Sequence, residues 1–171
     1  MISSFNNKHP DIKGSAYIAS SAHIIGDVSI GDDSSVWFNS VVRGDVHYIK
    51  IGNRTNIQDN SVLHVTRETH PLIIGDEVTV GHRVVVHGCR IDNNTLIGIG
   101  SIILDGSVVE QYSIIAAGSV VPTGFTVPGG VLAMGSPVKI KRDLKEQELK
   151  LIDKLSENYV EYSKQYISQN L

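Results

Sequence analysis

His64, His82 and His87 are the residues in this chain whose type and placement suit metal chemistry. Three neutral imidazoles plus one open position make a reactive zinc-type centre. Any one histidine alone is better read as an ordinary surface residue. These three stand out because each is tied to a repeat. His64 follows Leu63, His87 follows Val86, and His82 lies two residues beyond Val80.

The repeat has a period of six. Ile18, Ile24, Ile30, Val36 and Val42 each lie six residues apart, and the rhythm resumes at Ile51, Ile57 and Leu63. It returns at Ile74, Val80 and Val86, then after a five-residue step at Ile91, Ile97, Ile103, Val109, Ile115 and Val121. Small residues hold a second slot, among them Ala22, Ser34, Ser40, Thr55, Ser61, Thr95, Ser101, Ser107, Ser113 and Ser119. A helix repeats near 3.6 and a simple strand at 2, so neither explains the pattern. A sustained six-residue phase signals a solenoid of short stacked strands, a parallel β-helix. Hairpin strands of a β-sandwich would not keep phase this long. The aliphatic residue faces a narrow core and the small one fits a corner. Gly31, Gly52, Gly75, Gly81 and Gly98 follow aliphatic positions, which suggests backbone freedom at the bends.

Three steps per turn give the coil three faces. His64 and His87 then share a face and a slot on adjacent coils, stacked about 4.8 Å apart. His82 belongs to the face before theirs. A second subunit must supply it if all three histidines are to meet. Packing about a threefold axis does so, because closed rings place unlike surfaces of identical chains together. Arg43 falls in the His64–His87 column, with Asp45 two residues on. Asp59 takes the slot of His82 one coil below, beside Gln58. Carboxylates there could orient imidazoles or pair with Arg43 across the joint, and Gln58 could bond a reacting anion.

The segment after Gly135-Ser136-Pro137 changes period. Asp143 and Glu146 read as a capping box. Leu144, Leu151, Ile152, Leu155, Tyr159, Tyr162 and Tyr166 then trace the apolar stripe of one helix of about 25 residues. The chain therefore divides into a β-helix domain over 1–136 and a helical segment over 137–171 that packs on it.

Composition narrows the classes further. The 171 residues suit one domain, and a net charge of −3 without a dense basic run argues against nucleic acid. No apolar stretch is long enough to span a bilayer, and no signal pattern opens the chain. The single cysteine, Cys89, cannot form an internal disulfide, so a cytoplasmic location is expected.

Val42-Arg43-Gly44-Asp45, Asn56-Ile57-Gln58-Asp59, Leu63-His64, Val80-Gly81-His82 and Val86-His87-Gly88-Cys89 together resemble the gamma-class carbonic anhydrases. The resemblance spans nearly the whole chain. It implies an all-β solenoid, a left-handed parallel β-helix of hexapeptide repeats with a C-terminal α-helix. It implies a homotrimer with a metal at each subunit interface, held by His64, His82 and His87. Arg43, Asp45, Gln58 and Asp59 match the family's interface and active-site positions. The implied reaction is reversible hydration of carbon dioxide to bicarbonate by a metal-supplied hydroxide, with zinc expected and Fe(II) or Co(II) as alternatives. Two departures bear on rate. Val46 stands where the family's active pattern has an acid, and the acidic proton-shuttle loop is reduced to Val65–Leu72, with Glu68 and His70 as substitutes. Some relatives also carry a tyrosine near the site, where Ala133 stands here. An acyl-CoA transferase on the same coil, or a catalytically silent metal-binding assembly protein, are the alternative functions.

Overall fold

The computed structural model describes residues 1–170 as a β-solenoid of parallel strands closed by one helix. Strands recur on three faces. A column of Ile24, Val42, Leu63, Val86, Ile103 and Val121 lines one face and is wholly buried. Ile30, Ile51, Ile74, Ile91, Val109 and Val127 line the second, and Val36, Ile57, Val80, Ile97, Ile115 and Ala133 the third. The first two faces join into a twelve-stranded sheet because His23–Ile30 and Val41–Ile51 run round a corner without a break. The third face is an eight-stranded sheet.

The small slot does more than avoid a clash. Ser34 Oγ donates to the carbonyl of Gly52 at 2.7 Å, Ser40 Oγ to Gln58 at 2.8 Å, and Thr55 Oγ1 to Gly75 at 2.8 Å. Ser61 reaches Gly81 at 3.0 Å and Ser113 reaches Pro128 at 2.8 Å. Each hydroxyl ties its corner to the next coil and satisfies a carbonyl that water cannot reach. The glycines beside these corners differ from expectation. Gly52 does not adopt a left-handed backbone; a Cβ there would lie 2.6 Å from the backbone of Gly75 in the next coil. Close approach of coils, rather than freedom at a bend, is what demands glycine.

Two insertions leave the stack. Gly26 faces Gly44 but Val28 faces Ile49, so strand Val41–Ile51 bulges over residues 45–48. The second is the loop between Val62–His64 and Leu72–Ile74, closed by an antiparallel bridge from Thr66 to His70.

At the C-terminal end, Lys139–Asp143 turns back as an antiparallel strand on Val131–Met134, which the six-residue pattern did not foretell. The helix then runs Glu146–Ser168, with Lys145 rather than Asp143 at its N-cap. Glu148, not Glu146, closes that end by accepting the Lys145 backbone N–H at 2.8 Å. The helix lies on the third face of its own chain, against Tyr17–Ile18, Ser35–Val36 and Thr79–Val80. Ile152 and Val160 are buried with Ser156 and Ser163, whereas Leu151 and Tyr162 are exposed. The buried face is thus turned from the expected stripe, since Ser156 is drawn inward by its bond to the Arg54 carbonyl at 2.8 Å. Tyr159 and Tyr166 of the helix pack ring against ring on Tyr17 and Trp37 of the coil, with the Trp37 centroid 5.4 Å from Tyr159 and 5.1 Å from Tyr166. Among the described residues, no helix is long and apolar enough to cross a membrane.

Candidate metal centre

Strands Val41–Ile51, Val62–His64 and Val85–His87 lie side by side with Val42, Leu63 and Val86 in register. Leu63 and Val86 point inward, so His64 and His87 both point outward, directly paired across the ladder. His64 Nδ1 and His87 Nε2 face each other at 3.0 Å. Two nitrogens on a tetrahedral ion with bonds of about 2.0–2.1 Å stand about 3.3 Å apart, so the pair fits a shared metal closely.

The bulge over residues 45–48 turns Asp45 back toward this column. Its carboxylate accepts from the Arg43 guanidinium and meets His64 Nε2 at 2.9 Å. Burial opposes its charge, but the hydrogen bonds from His64 and Arg43 outweigh that and hold its pKa below the usual carboxylate range. Arg43 and Asp45 therefore sit at the histidine pair, in the column expected for Arg43.

Asp105 is a partner the motifs did not reveal. It lies one coil beyond His87 and meets His87 Nδ1 at 2.7 Å, while Thr66 Oγ1 donates to the same oxygen at 3.0 Å. Gly88 makes this approach possible: it has φ +49°, and a Cβ there would lie 2.1 Å from the Asp105 carboxylate. A search of neighbouring coils for carboxylates near each histidine column would have found Asp105.

His82 stands apart, at the corner leading from the third face to the first. Ile57 pairs with Val80, and Arg83 N bonds the Asp59 carbonyl at 2.9 Å, which stacks the two corners. His82 Nδ1 meets Asp59 Oδ2 at 2.8 Å, leaving Nε2 outward on a side chain 40% exposed. Gln58 is buried, and its amide donates to Asn56 Oδ1 at 3.1 Å. Within one chain Asp59 does not meet Arg43, which is held by Asp45. Among the described residues, no three His, Cys, Asp or Glu side chains of one chain gather as a metal-holding group.

The remaining candidates divide. Glu68 lines a cavity of about 250 Å³ with Asp45, Val46 and Arg67. His70 instead bonds Thr69 Oγ1 at 2.9 Å and lies against Gly106. Cys89 is buried, and burial pushes its thiol pKa up. Ala133 is buried in the core. Tyr159 shares a cavity of about 380 Å³ with Asp59, Trp37 and Tyr166. Burial, aided by the nearby charge of Asp59, pushes its pKa up to about 12, so it stays a neutral donor.

Residues 88–123 match the family model described as bacterial transferase hexapeptide (six repeats). The chain is 52% identical to a carbonic anhydrase of Geobacillus kaustophilus, over 97% of its own length and 91% of that protein. It is 41% identical to gamma carbonic anhydrase 1 of Arabidopsis thaliana mitochondria, over 96% of its length and 62% of that longer chain. A solved Bacillus cereus structure of proposed acetyltransferase function superposes with a TM-score of 0.96 at 44% identity, covering 98% of this chain and 97% of that one.

Proposed function

The chain belongs to the gamma-type carbonic anhydrase family of hexapeptide-repeat proteins, and on that premise we propose that it catalyses the reversible hydration of carbon dioxide at a metal shared between subunits. His64 and His87 of one chain and His82 of the next hold the ion. The observation that carries this reading is the facing pair of nitrogens on His64 and His87, 3.0 Å apart. Each histidine also has one ring nitrogen tied to a carboxylate, Asp45, Asp105 or Asp59. That is the usual state of an imidazole whose other nitrogen binds metal.

Support for the shared site comes from the surface beside the pair. Val41, Val62, Val85, Ile102 and Val120 form an outward apolar column in register, with Val62 42% exposed and Ile102 36% exposed. Gly81, Leu96, Ile99 and Leu155 line a groove of about 300 Å³ on the next face, adjacent to His82. One chain's column seated on its neighbour's groove covers both and brings His82 to the pair. Repeated three times, that unlike contact closes a ring.

An ion held by these three histidines would supply hydroxide at neutral pH, since such metals lower the pKa of water to about 7. The chain's own residues do the rest. Asp45 and Asp59 fix the rings of His64 and His82. Arg43 lends positive charge where bicarbonate forms, and Gln58 borders the His82 side. Zinc is the expected ion, and three imidazoles also accept ferrous iron or cobalt. Stopped-flow measurement of carbon dioxide hydration, with protein loaded with each metal in turn, tests the proposal. Rates equal to the metal-free protein for all three would refute it. The acyl-transfer reading draws on the description of the Bacillus cereus structure, and tight acetyl-CoA binding by this chain would favour it.

A further inference from the structure

We infer that Asp105 is a positioning residue that fixes the ring of His87 for metal binding. The inference rests on the metal site proposed above. An ionised carboxylate only accepts hydrogen bonds, so the 2.7 Å contact requires the proton on His87 Nδ1. Nε2 is then the unprotonated nitrogen, and it is the one that faces His64. The same Asp105 oxygen accepts from Thr66 Oγ1 at 3.0 Å, so it meets His87 as an acceptor.

Its position is rigid for three reasons. Gly106 N bonds the Gly88 carbonyl at 2.7 Å, which locks the Asp105 corner onto the coil of His87. Gly88 carries no side chain that could push the carboxylate away. Thr66 holds the same oxygen from the opposite side, and Thr66 is itself fixed by its backbone bridge to His70 at 3.0 Å. Asp105 therefore joins one ligand, the next coil and the inserted loop beside the other ligand. Asp45 and Asp59 do the like for His64 and His82, so the three rings are aimed by three separate coils.

The test has two readouts. In metal-free protein at a pH where imidazole is neutral, ¹⁵N NMR reports which nitrogen of His87 carries the proton. Wild type is expected to show Nδ1–H, and Asp105→Ala to shift the ring toward Nε2–H. Zinc affinity should fall roughly 10–100-fold in Asp105→Ala, the range for loss of such an outer partner. The visible spectrum of the cobalt form should change as well. Asp105→Asn keeps the shape but can present its amide N–H to Nδ1, so it should also turn the ring toward Nε2–H and weaken zinc binding. It also serves if the alanine variant fails to fold, since a retained Nδ1–H ring with wild-type zinc affinity in the asparagine variant would count against the inference. An unchanged tautomer and wild-type zinc affinity in Asp105→Ala would overturn it. If wild type itself bound no metal, the proposed function would fall, while the tautomer comparison would still decide whether Asp105 orients His87.

Discussion

His64 and His87 are register partners on adjacent strands, and their ring nitrogens face each other at 3.0 Å. Both side chains belong to one chain, and His82 points from another face, so under the proposed shared site the pair supplies two of the three ligands. That geometry makes a prediction about mixtures. Neither His82→Ala protein nor a His64→Ala/His87→Ala double variant should retain zinc. Unfolded together and refolded as mixed trimers, they should regain part of it, because some joints then combine an intact pair with an intact His82. Metal analysis after gel filtration reads the result. Stoichiometric zinc in His82→Ala alone would contradict a shared centre.

Gly88→Ala should harm both stability and metal binding, because Gly88 is buried. The added Cβ would meet Asp105 Oδ1 at 2.1 Å and the His70 Cβ at 2.8 Å, on a backbone at φ +49°. Left-handed strain for alanine costs roughly 1–2 kcal/mol, and moving Asp105 loosens His87. Thermal melting should show the first effect and zinc titration the second. An affinity equal to wild type would mean that Asp105 tolerates displacement.

Val46 lines cavities on both sides of Asp45, together with Lys8, Arg67 and Glu68. If proton transfer limits turnover there, Val46→Glu should raise kcat in dilute buffer roughly tenfold or more, within the range of a placed acid–base group. Concentrated imidazole should erase the difference by carrying the proton itself. An equal gain in both buffers would assign the effect to something other than proton transfer.

Glu148 ties the helix start to the strand before it through Arg142, with N–O contacts of 2.7 and 2.8 Å. Hydrogen bonding from Arg142, then from the Lys145 backbone, lowers its pKa to about 2. The unfolded value is about 4.3. Its contribution is therefore complete above that value and is lost as pH falls toward 2. The gap in Tm between wild type and Glu148→Gln should be widest near neutral pH, shrink on acidification, and narrow with added salt because the pair is exposed. Calorimetry across that range checks it. A constant gap would mean the ion pair does not set the stability of this corner.

Much of the coil is legible in the sequence itself. Inward aliphatic residues every six positions set the coil, and a histidine directly after Leu63 or Val86 has to point outward beside its neighbour. The helix face was less legible because Leu151 and Tyr162 look as apolar as Ile152, while Ser156 and Ser163, both buried, look polar. The bond from Ser156 to the Arg54 carbonyl marks the face that the helix buries, together with Ile152 and Val160. Asp105 stayed hidden for another reason. It belongs to none of the histidine motifs, and only its slot one coil beyond Gly88, where the missing side chain leaves room, marks it as a partner for His87.

The serine and threonine hydroxyls at the corners have a consequence for how such a chain can change. Because Ser34, Ser40, Thr55 and Ser61 each grip the coil above, the stack behaves like a screw of locked pitch. An extra residue cannot be absorbed along a face without stripping every thread beyond it. It has to be thrown outward, as the 45–48 bulge and the Thr66–His70 loop are. Novelty is thereby channelled to the rim of the thread, and that rim is where Asp45 reaches His64 and where Thr66 reaches the carboxylate that holds His87.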